Sequence, residues 1–300
     1  MATRDWLLVL FLGAIWGSSF IFNAVLIREL GPLWVSAGRV GVAAAASWIF
    51  FLALRKPKIT DLGLIAKLAL LGIFSYALPF ALFPLGQTAL ASGVAAILNA
   101  MTPIMTVIVS HFWVGGERAT PYKIAGVFAG LAGVVILSLP ALGNGGESHI
   151  WAIGLCLLAT FCYAVSLNWS RNFSGIDATT IATIALTGAT AAAVPAALIF
   201  EGVPQIEQPQ TWLAILGIGL LPTFVAFQVM YRILPRIGAT NFSATTFIAP
   251  ISTILLGIAI LGEIVLPTHL LGMLAIFAGL LMIDGRLPRW IGMQRRRPAR

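Results

Sequence analysis

Ten apolar stretches, each long enough or nearly so to cross a lipid bilayer, follow one another with short polar breaks between them. A bilayer core is about 30 Å thick and takes about 20 apolar residues of helix to cross. The stretches occupy residues 6–27, 33–54, 63–83, 91–114, 122–139, 150–170, 178–200, 211–231, 238–261 and 267–283. In hydrocarbon, only helices and closed barrels satisfy every backbone group. Continuous apolar runs of this length predict helices. The first run is too long for a signal-peptide core and lacks a small-residue cleavage site, so it reads as a true span. What remains outside the runs leaves no room for a sizeable soluble domain.

Composition agrees with this reading. Charged residues are 9% of the 300 and hydrophobic residues 59%, with a mean hydropathy of +0.98. A soluble domain is roughly 25% charged, so soluble, disordered, collagen-like and disulfide-framework classes are excluded. The net charge of +8 would suit nucleic acid only on a folded basic face. The positions say otherwise. Counting outward from the N-terminus, alternate connections and the C-terminal tail hold 16 of the 18 basic residues, from Arg4 through Arg55, Lys56, Lys58, Lys67, Arg118, Lys123, Arg171, Arg232 and Arg236 to Arg286, Arg289 and the four tail arginines 295, 296, 297 and 300. The other side has Arg28 alone, and Arg39 lies within a span. By the positive-inside rule this predicts ten spans with both termini cytoplasmic. Trp6, Trp34, Trp113, Trp151, Trp212 and Trp290 fall near the predicted interfaces, as an aromatic belt requires.

Local signals mark the breaks. Gly31-Pro32 separates the first two spans, and Thr120-Pro121 reads as an N-cap followed by proline at the first helical position. The Gly143-Asn144-Gly145-Gly146 stretch is the most flexible linker and lies near the midpoint. The sequon-like triplets at Asn168, Asn172 and Asn241 fall at cytoplasmic helix ends and are not glycosylation sites.

The chain also repeats itself. At a shift of 147 residues Pro103 falls on Pro250 and Trp16 on Tyr163. At 146, Gly116-Glu117 falls on Gly262-Glu263, Gly126 on Gly272 and Gly133 on Gly279. A one-residue gap reconciles the two shifts, and the common order argues for duplication. Five helices per copy is an odd number, so the second copy enters the membrane from the opposite side. Inverted repeats related by an axis in the membrane plane are the architecture of many secondary transporters, whose substrate site lies between the copies near the midplane.

The paired pattern of mid-helix proline (Pro103, Pro250), Gly-Glu, and a glycine-bearing last helix (Gly126, Gly130, Gly133; Gly272, Gly279) resembles the drug/metabolite transporter superfamily, and more narrowly its EamA-type permeases. Ile15-Trp16-Gly17 is similar to the start of that family's first helix. Within the family the chain most resembles the bacterial amino-acid exporters, including the aromatic-amino-acid and paraquat exporter branch. The resemblance covers nearly the whole chain. It implies an EamA-like repeat at 1–142, a linker at 143–149, a second, inverted repeat at 150–285 and a basic cytoplasmic tail at 286–300. It also implies an inner-membrane permease that works by alternating access.

No carboxylate lies at bilayer depth: Asp5, Glu29, Asp61, Glu117, Glu147, Asp177, Glu201, Glu207, Glu263 and Asp284 all fall at span ends, in loops or in tails. This disfavours a proton relay through a buried carboxylate. There is no HExxH, GxSxG or Walker A motif, and Cys156 and Cys162 form no CxxC. No catalytic group, metal site or cofactor is expected. Glu117 and Glu263 each precede the last helix of their repeat, where a negative charge suits the positive helix end. His111 and His269, near helix ends, read as satisfied interfacial histidines. Arg39 has two readings: its stem snorkels to the interface, or it lines the outer vestibule as a carboxylate partner.

Trp16, Tyr76 and Tyr163 are far from their span ends, where a buried indole N–H or phenol O–H seeks a partner. They can pack between helices, or they can line a central pocket that stacks on aromatic or cationic solutes. Phe20 and Phe224 extend that wall. Pro103 and Pro250 each free the carbonyl four residues earlier, at Asn99 and Thr246. Asn99, Thr246 and Gln228 are therefore the polar substrate-contact candidates, and the two prolines the bend points. The expected protein is an all-α membrane carrier that exports small organic solutes, amino acids or similar metabolites, as a monomer or an oligomer. The alternatives are a channel-like facilitator and an intramembrane lipid-modifying enzyme.

Overall fold

The computed structural model describes residues 3–57, 60–143, 149–173, 175–237, 242 and 244–284. The glycine-rich stretch 144–146, Lys58, Glu147, Gly238 at the start of the expected ninth span, Asn241 and the tail 286–300 lie outside them.

Within the described residues the chain is helical. In order come α1 (Thr3–Leu26), α2 (Pro32–Ala53), α3 (Leu62–Gln87), α4 (Ser92–Phe112), α5 (Pro121–Gly143), α6 (Ile150–Ser170), α7 (Ala178–Glu201), α8 (209–237), α9 (Thr245–Leu261) and α10 (Pro267–Ile283). Eight of them are long and apolar enough to cross a membrane; α9 and α10 are shorter apolar helices. Large apolar side chains such as Leu52, Phe128 and Leu213 stand exposed on their outer faces, which suits lipid as solvent rather than water.

Beside a 3-10 turn at Arg171–Phe173 and a π turn at Gly257–Leu261 in α9, three departures from plain α-helix bear on the interior. α3 and α8 each contain a π-helical turn, at Ile73–Ala77 and Leu220–Val225. These turns begin 147 residues apart, so they are equivalent positions in the two copies. A π turn leaves backbone groups misaligned, and π turns concentrate at functional sites. Here side chains take them up: the Ser36 hydroxyl donates to the Ala77 carbonyl, and the Thr223 hydroxyl to the Ile218 carbonyl. The third feature is α4, which splits into Ser92–Asn99 and Thr102–Phe112 ahead of Pro103. Pro250 instead lies inside a continuous helical segment, Thr245–Leu256. The two prolines therefore act differently on their helices.

Packing pairs elements across the copies. α5 lies along α10, α2 along α7, α1 along α9 and α4 along α6. Exchanging the copies leaves this set of pairs unchanged. The α5–α10 seam shows how the copies are related. A Cβ on Gly126 would stand 2.6 Å from the Gly279 carbonyl oxygen, and one on Gly133 2.7 Å from that of Gly272. The order reverses along the pair, so the helices are antiparallel. Exchanging the copies turns the first contact into the second. Gly13 and Gly17 bring α1 equally close to α9, where the Thr253 hydroxyl donates to the Gly17 carbonyl. These are the small-residue contacts that let helix backbones approach. Gly279→Val is expected to destabilise the bundle by about 1–3 kcal/mol through overpacking, read as a lowered Tm in detergent; an unchanged Tm would show that the seam is looser than described.

The smaller expectations resolve simply. Thr120 accepts from the Lys123 amide, as an N-cap does. His111 Nδ1 accepts from the Ala119 amide and His269 Nδ1 from the Leu266 amide, so both imidazoles are satisfied at helix ends. Both cysteines are free and buried. Asn168 is buried, with its amide donating to the Ala164 carbonyl.

Candidate functional site

Arg39 projects from α2 about 10 Å in from its N-terminal end, at 1.5 Å per residue. It is only 6% exposed, so the snorkelling reading fails. Its Nε donates to Thr223 Oγ1 at 2.9 Å and Nη2 to Ser19 Oγ at 3.3 Å. The guanidinium carbon lies 3.5 Å from the centre of the Phe80 ring, a cation–π contact. Tyr163 packs against the cluster that holds Phe80 and Tyr76. The ion pairs formed by described residues are Lys56–Asp177, Lys123–Glu117 and Arg236–Asp5, none of which involves Arg39. The π turn of α8 places Thr223, and α1 places Ser19. Three helices thus converge on one cation.

Two short chains of aromatic rings lie in the interior, one of them reaching Arg39 through Phe80. Trp16 and Tyr76 both pack edge-on against Phe227, at 6.3 Å and 5.5 Å between centroids, and Tyr76 touches Phe80 at 5.8 Å. Phe20 and Tyr163 meet through Phe83, at 5.4 Å and 6.2 Å. Trp16 thus joins Tyr76, and Phe20 joins Tyr163, each pair through a ring that sequence reasoning passed over. Phe224 does not join them; it packs against Phe50 at 5.7 Å. The missed signal was the repeat: Phe80 and Phe227 lie 147 residues apart.

The polar candidates are spread more widely. The Asn99 carbonyl accepts from the Thr102 hydroxyl at 2.8 Å, a local answer to the backbone break ahead of Pro103. Asn99, Thr246 and Gln228 all keep part of their surface accessible. Gln228 directly follows Phe227 on α8. Phe247, next to Thr246, packs on the core cluster that contains Phe20 and Phe83.

The two ends of the bundle differ. One, the acidic end, carries Glu29, Glu201, Glu207 and Glu263; the other, the basic end, carries most of the described Arg and Lys. At the acidic end three carboxylates each hold the N-terminus of a distant helix. Glu29 accepts from the amides of Glu207 and Gln208 and from the Thr211 hydroxyl at the start of α8. Glu201 accepts from the amides of Leu33 and Trp34 in α2. Glu263 accepts from those of Ser92 and Gly93 in α4, at 2.7 and 3.2 Å. Helix N-termini offer unpaired N–H groups and a positive dipole end, which carboxylates satisfy. Glu263 thus serves α4, rather than α10 as its position suggested. Its mate Glu117 is 66% exposed and pairs with Lys123. A cavity of about 420 Å³ opens at the acidic end beside Arg28, Glu29, Trp34 and Glu201.

The Thr211 hydroxyl, then the Glu207 amide, hold the Glu29 carboxyl below its ordinary 4.5. A depressed folded value means the stabilisation is full above 4.5 and is lost as pH falls through the lower, folded value. Acidification is therefore expected to lower the Tm of wild type more than that of Glu29→Gln over the range below pH 4.5. Parallel Tm curves would show that this contact contributes nothing.

The helical fold, the buried cation and the ring chain define a polytopic membrane protein with a polar-aromatic interior. The model of the EamA-like transporter family matches residues 5–139 and again 150–284, and the chain belongs to that family, whose members are transporters rather than enzymes. It is similar to a "Probable terminal-alkyne amino-acid exporter" of Streptantibioticus cattleyicolor, with 25% identity over 94% of this chain and 93% of that protein. It is also similar to "Aromatic amino acid exporter YddG" of Ancylobacter novellus, with 28% identity over 55% of this chain and 58% of the relative. A crystal structure aligns at 19% identity with a TM-score of 0.66, over 97% of this chain and 99% of its own, which shows a shared fold.

Proposed function

We propose that the protein is a secondary carrier that exports small organic solutes, amino acids or related metabolites and drugs, by alternating access through a central aromatic-lined pathway. The observation that carries this reading is the ring chain through Trp16, Phe227 and Tyr76 beside the buried Arg39. The similarity to proteins named as amino-acid exporters supports it. Trp16, Phe20, Tyr76 and Tyr163 shape the pathway, with Asn99, Thr246 and Gln228 as its polar contacts and Phe224 at its margin. Pro103 and Pro250 supply bend points in α4 and α9.

All ten helices cross the membrane in this reading, as five-helix repeats at 1–142 and 150–285 joined by 143–149. The repeats are inverted, which the antiparallel glycine seam supports. The basic end, both termini and the 286–300 tail face the cytoplasm by the positive-inside rule, and the membrane is the bacterial inner membrane. The acidic end then faces outward, and Glu29, Glu201 and Glu263 tie its helices to one another. The mate of Glu263 at the basic end, Glu117, stands exposed.

Counterflow in proteoliposomes loaded with a panel of amino acids and hydrophobic cations tests the reading. Accumulation of labelled solute against preloaded unlabelled solute is the expected result. Uptake of none of the panel would overturn the exporter reading, and conductance without counterflow would replace it with the channel-like one.

A further inference from the structure

A cation buried without a counter-ion is costly in a membrane interior. Among the described residues Arg39 has no ion-pair partner, and the second copy does without such a cation. Its equivalent in the second copy, 147 residues on, is Leu186, which is 2% exposed. Two of the surrounding positions keep their symmetry, Ser19 with Ser166 and Phe80 with Phe227, while the charge does not, and Thr223 has Tyr76 as its equivalent. Ser19, which receives Nη2, has as its equivalent Ser166. The Ser166 hydroxyl is buried with no hydrogen-bond partner among the described residues. The second copy thus shows what this position looks like without the guanidinium: a leucine fills it and a serine is left idle. Structure alone would be served as well by leucine in both copies.

What surrounds the guanidinium narrows its use. Its hydrogen-bond partners Thr223 and Ser19 are neutral hydroxyls. Those bonds use a minority of the five N–H donors of a guanidinium. The Phe80 ring covers one face. Phe80 continues through Tyr76 to Phe227 and Trp16, an apolar wall beside a planar donor fork. Such a fork matches a carboxylate in two parallel hydrogen bonds. It repels a cation.

We propose that Arg39 receives the carboxylate of the transported solute. The substrate class is then a carboxylate with an apolar or aromatic body, α-amino acids included, and not a simple hydrophobic cation. This rests on the exporter reading above. In the conformation described the guanidinium is occluded, and it becomes accessible as α2 parts from the π turns of α3 and α8. The arriving anion supplies the missing counter-charge, so opening around Arg39 is favoured with carboxylate present.

The test uses the full chain in proteoliposomes and pairs each amino acid with its carboxamide, for example phenylalanine with phenylalaninamide. Wild type is expected to move the acid at least about tenfold faster than the amide, which corresponds to about 1.4 kcal/mol. Arg39→Leu, the residue the second copy already accommodates, is expected to bring that ratio close to one. Arg39→Lys should restore part of it by keeping the charge without the fork. Transport of acid and amide at equal rates by wild type would overturn this inference and leave the exporter reading standing; it needs no variant to fold. An Arg39→Leu protein with wild-type Tm and an unchanged ratio would overturn it too. Transport of no member of any pair by wild type would overturn both.

Discussion

Trp16→Ala is expected to slow counterflow by about tenfold or more at equal membrane expression, the scale of 1.4 kcal/mol or above. Trp212→Ala, whose indole is 57% exposed on the outer face of α8, should stay within about twofold, as surface substitutions do. The difference follows from position. Trp16 is half-buried and makes edge contacts to Phe227 at 6.3 Å and Phe242 at 5.8 Å. Each such aromatic pair contributes about 0.5–1.5 kcal/mol beyond the area it buries. Removing the indole also lets Phe227 turn away from Tyr76, which disrupts the wall that reaches Arg39 through Phe80. Trp16→Phe is the conservative control, because a smaller ring retains one flat face for the same neighbours. It should keep both the Tm and most of the rate. Equal rates for Trp16→Ala and Trp212→Ala would remove Trp16 from the pathway.

Glu263→Gln is expected to loosen the acidic end. The carboxylate accepts two amides at the α4 N-terminus, and hydrogen bonds to a charged group contribute about 1.5–3 kcal/mol. Gln keeps one carbonyl acceptor and loses the charge. A shift of about 1–2 kcal/mol changes a two-state equilibrium by about 5–30-fold. The native Cys156 reports it. This cysteine is fully buried in the cluster that contains Ile97 and Leu98 of the first α4 segment. Movement of that segment exposes the thiol. In a Cys162→Ser background, labelling of Cys156 by a membrane-impermeant maleimide should rise by about that factor, given that labelling follows the open population. Unchanged labelling would mean that the contact does not hold the acidic end.

The architecture was readable because bilayer physics leaves so few choices. Run length located the helices, and charge alternation separated the acidic and basic ends. The repeat announced the α5–α10 glycines before any coordinate did. Side-chain partnerships were not readable in the same way. Arg39 meets Thr223, 184 residues away, and that distance is closed only when α2 packs beside α8. A span position counted from the nearest helix end cannot show which hydroxyls stand opposite. The π turn of α8 adds a second obstacle. It rotates the residues beyond it, so Phe227 rather than Phe224 turns inward. The three acidic-end carboxylates were seen as helix-end charges, but each serves a helix other than its neighbour in sequence.

The glycine seam between α5 and α10 bears on ancestry. Its two contacts, Gly126 with Gly279 and Gly133 with Gly272, are one contact seen twice. Such a self-complementary surface is the isologous interface of a two-fold dimer. A single five-helix half, inserted in both orientations, would meet its own copy through the same pair of glycines. At this seam a homodimer of halves and the present fused chain are geometrically equivalent. A fused chain, unlike a homodimer, lets the two halves differ, and the arginine at 39 with a leucine at its equivalent 186 is a charge placed in one half only.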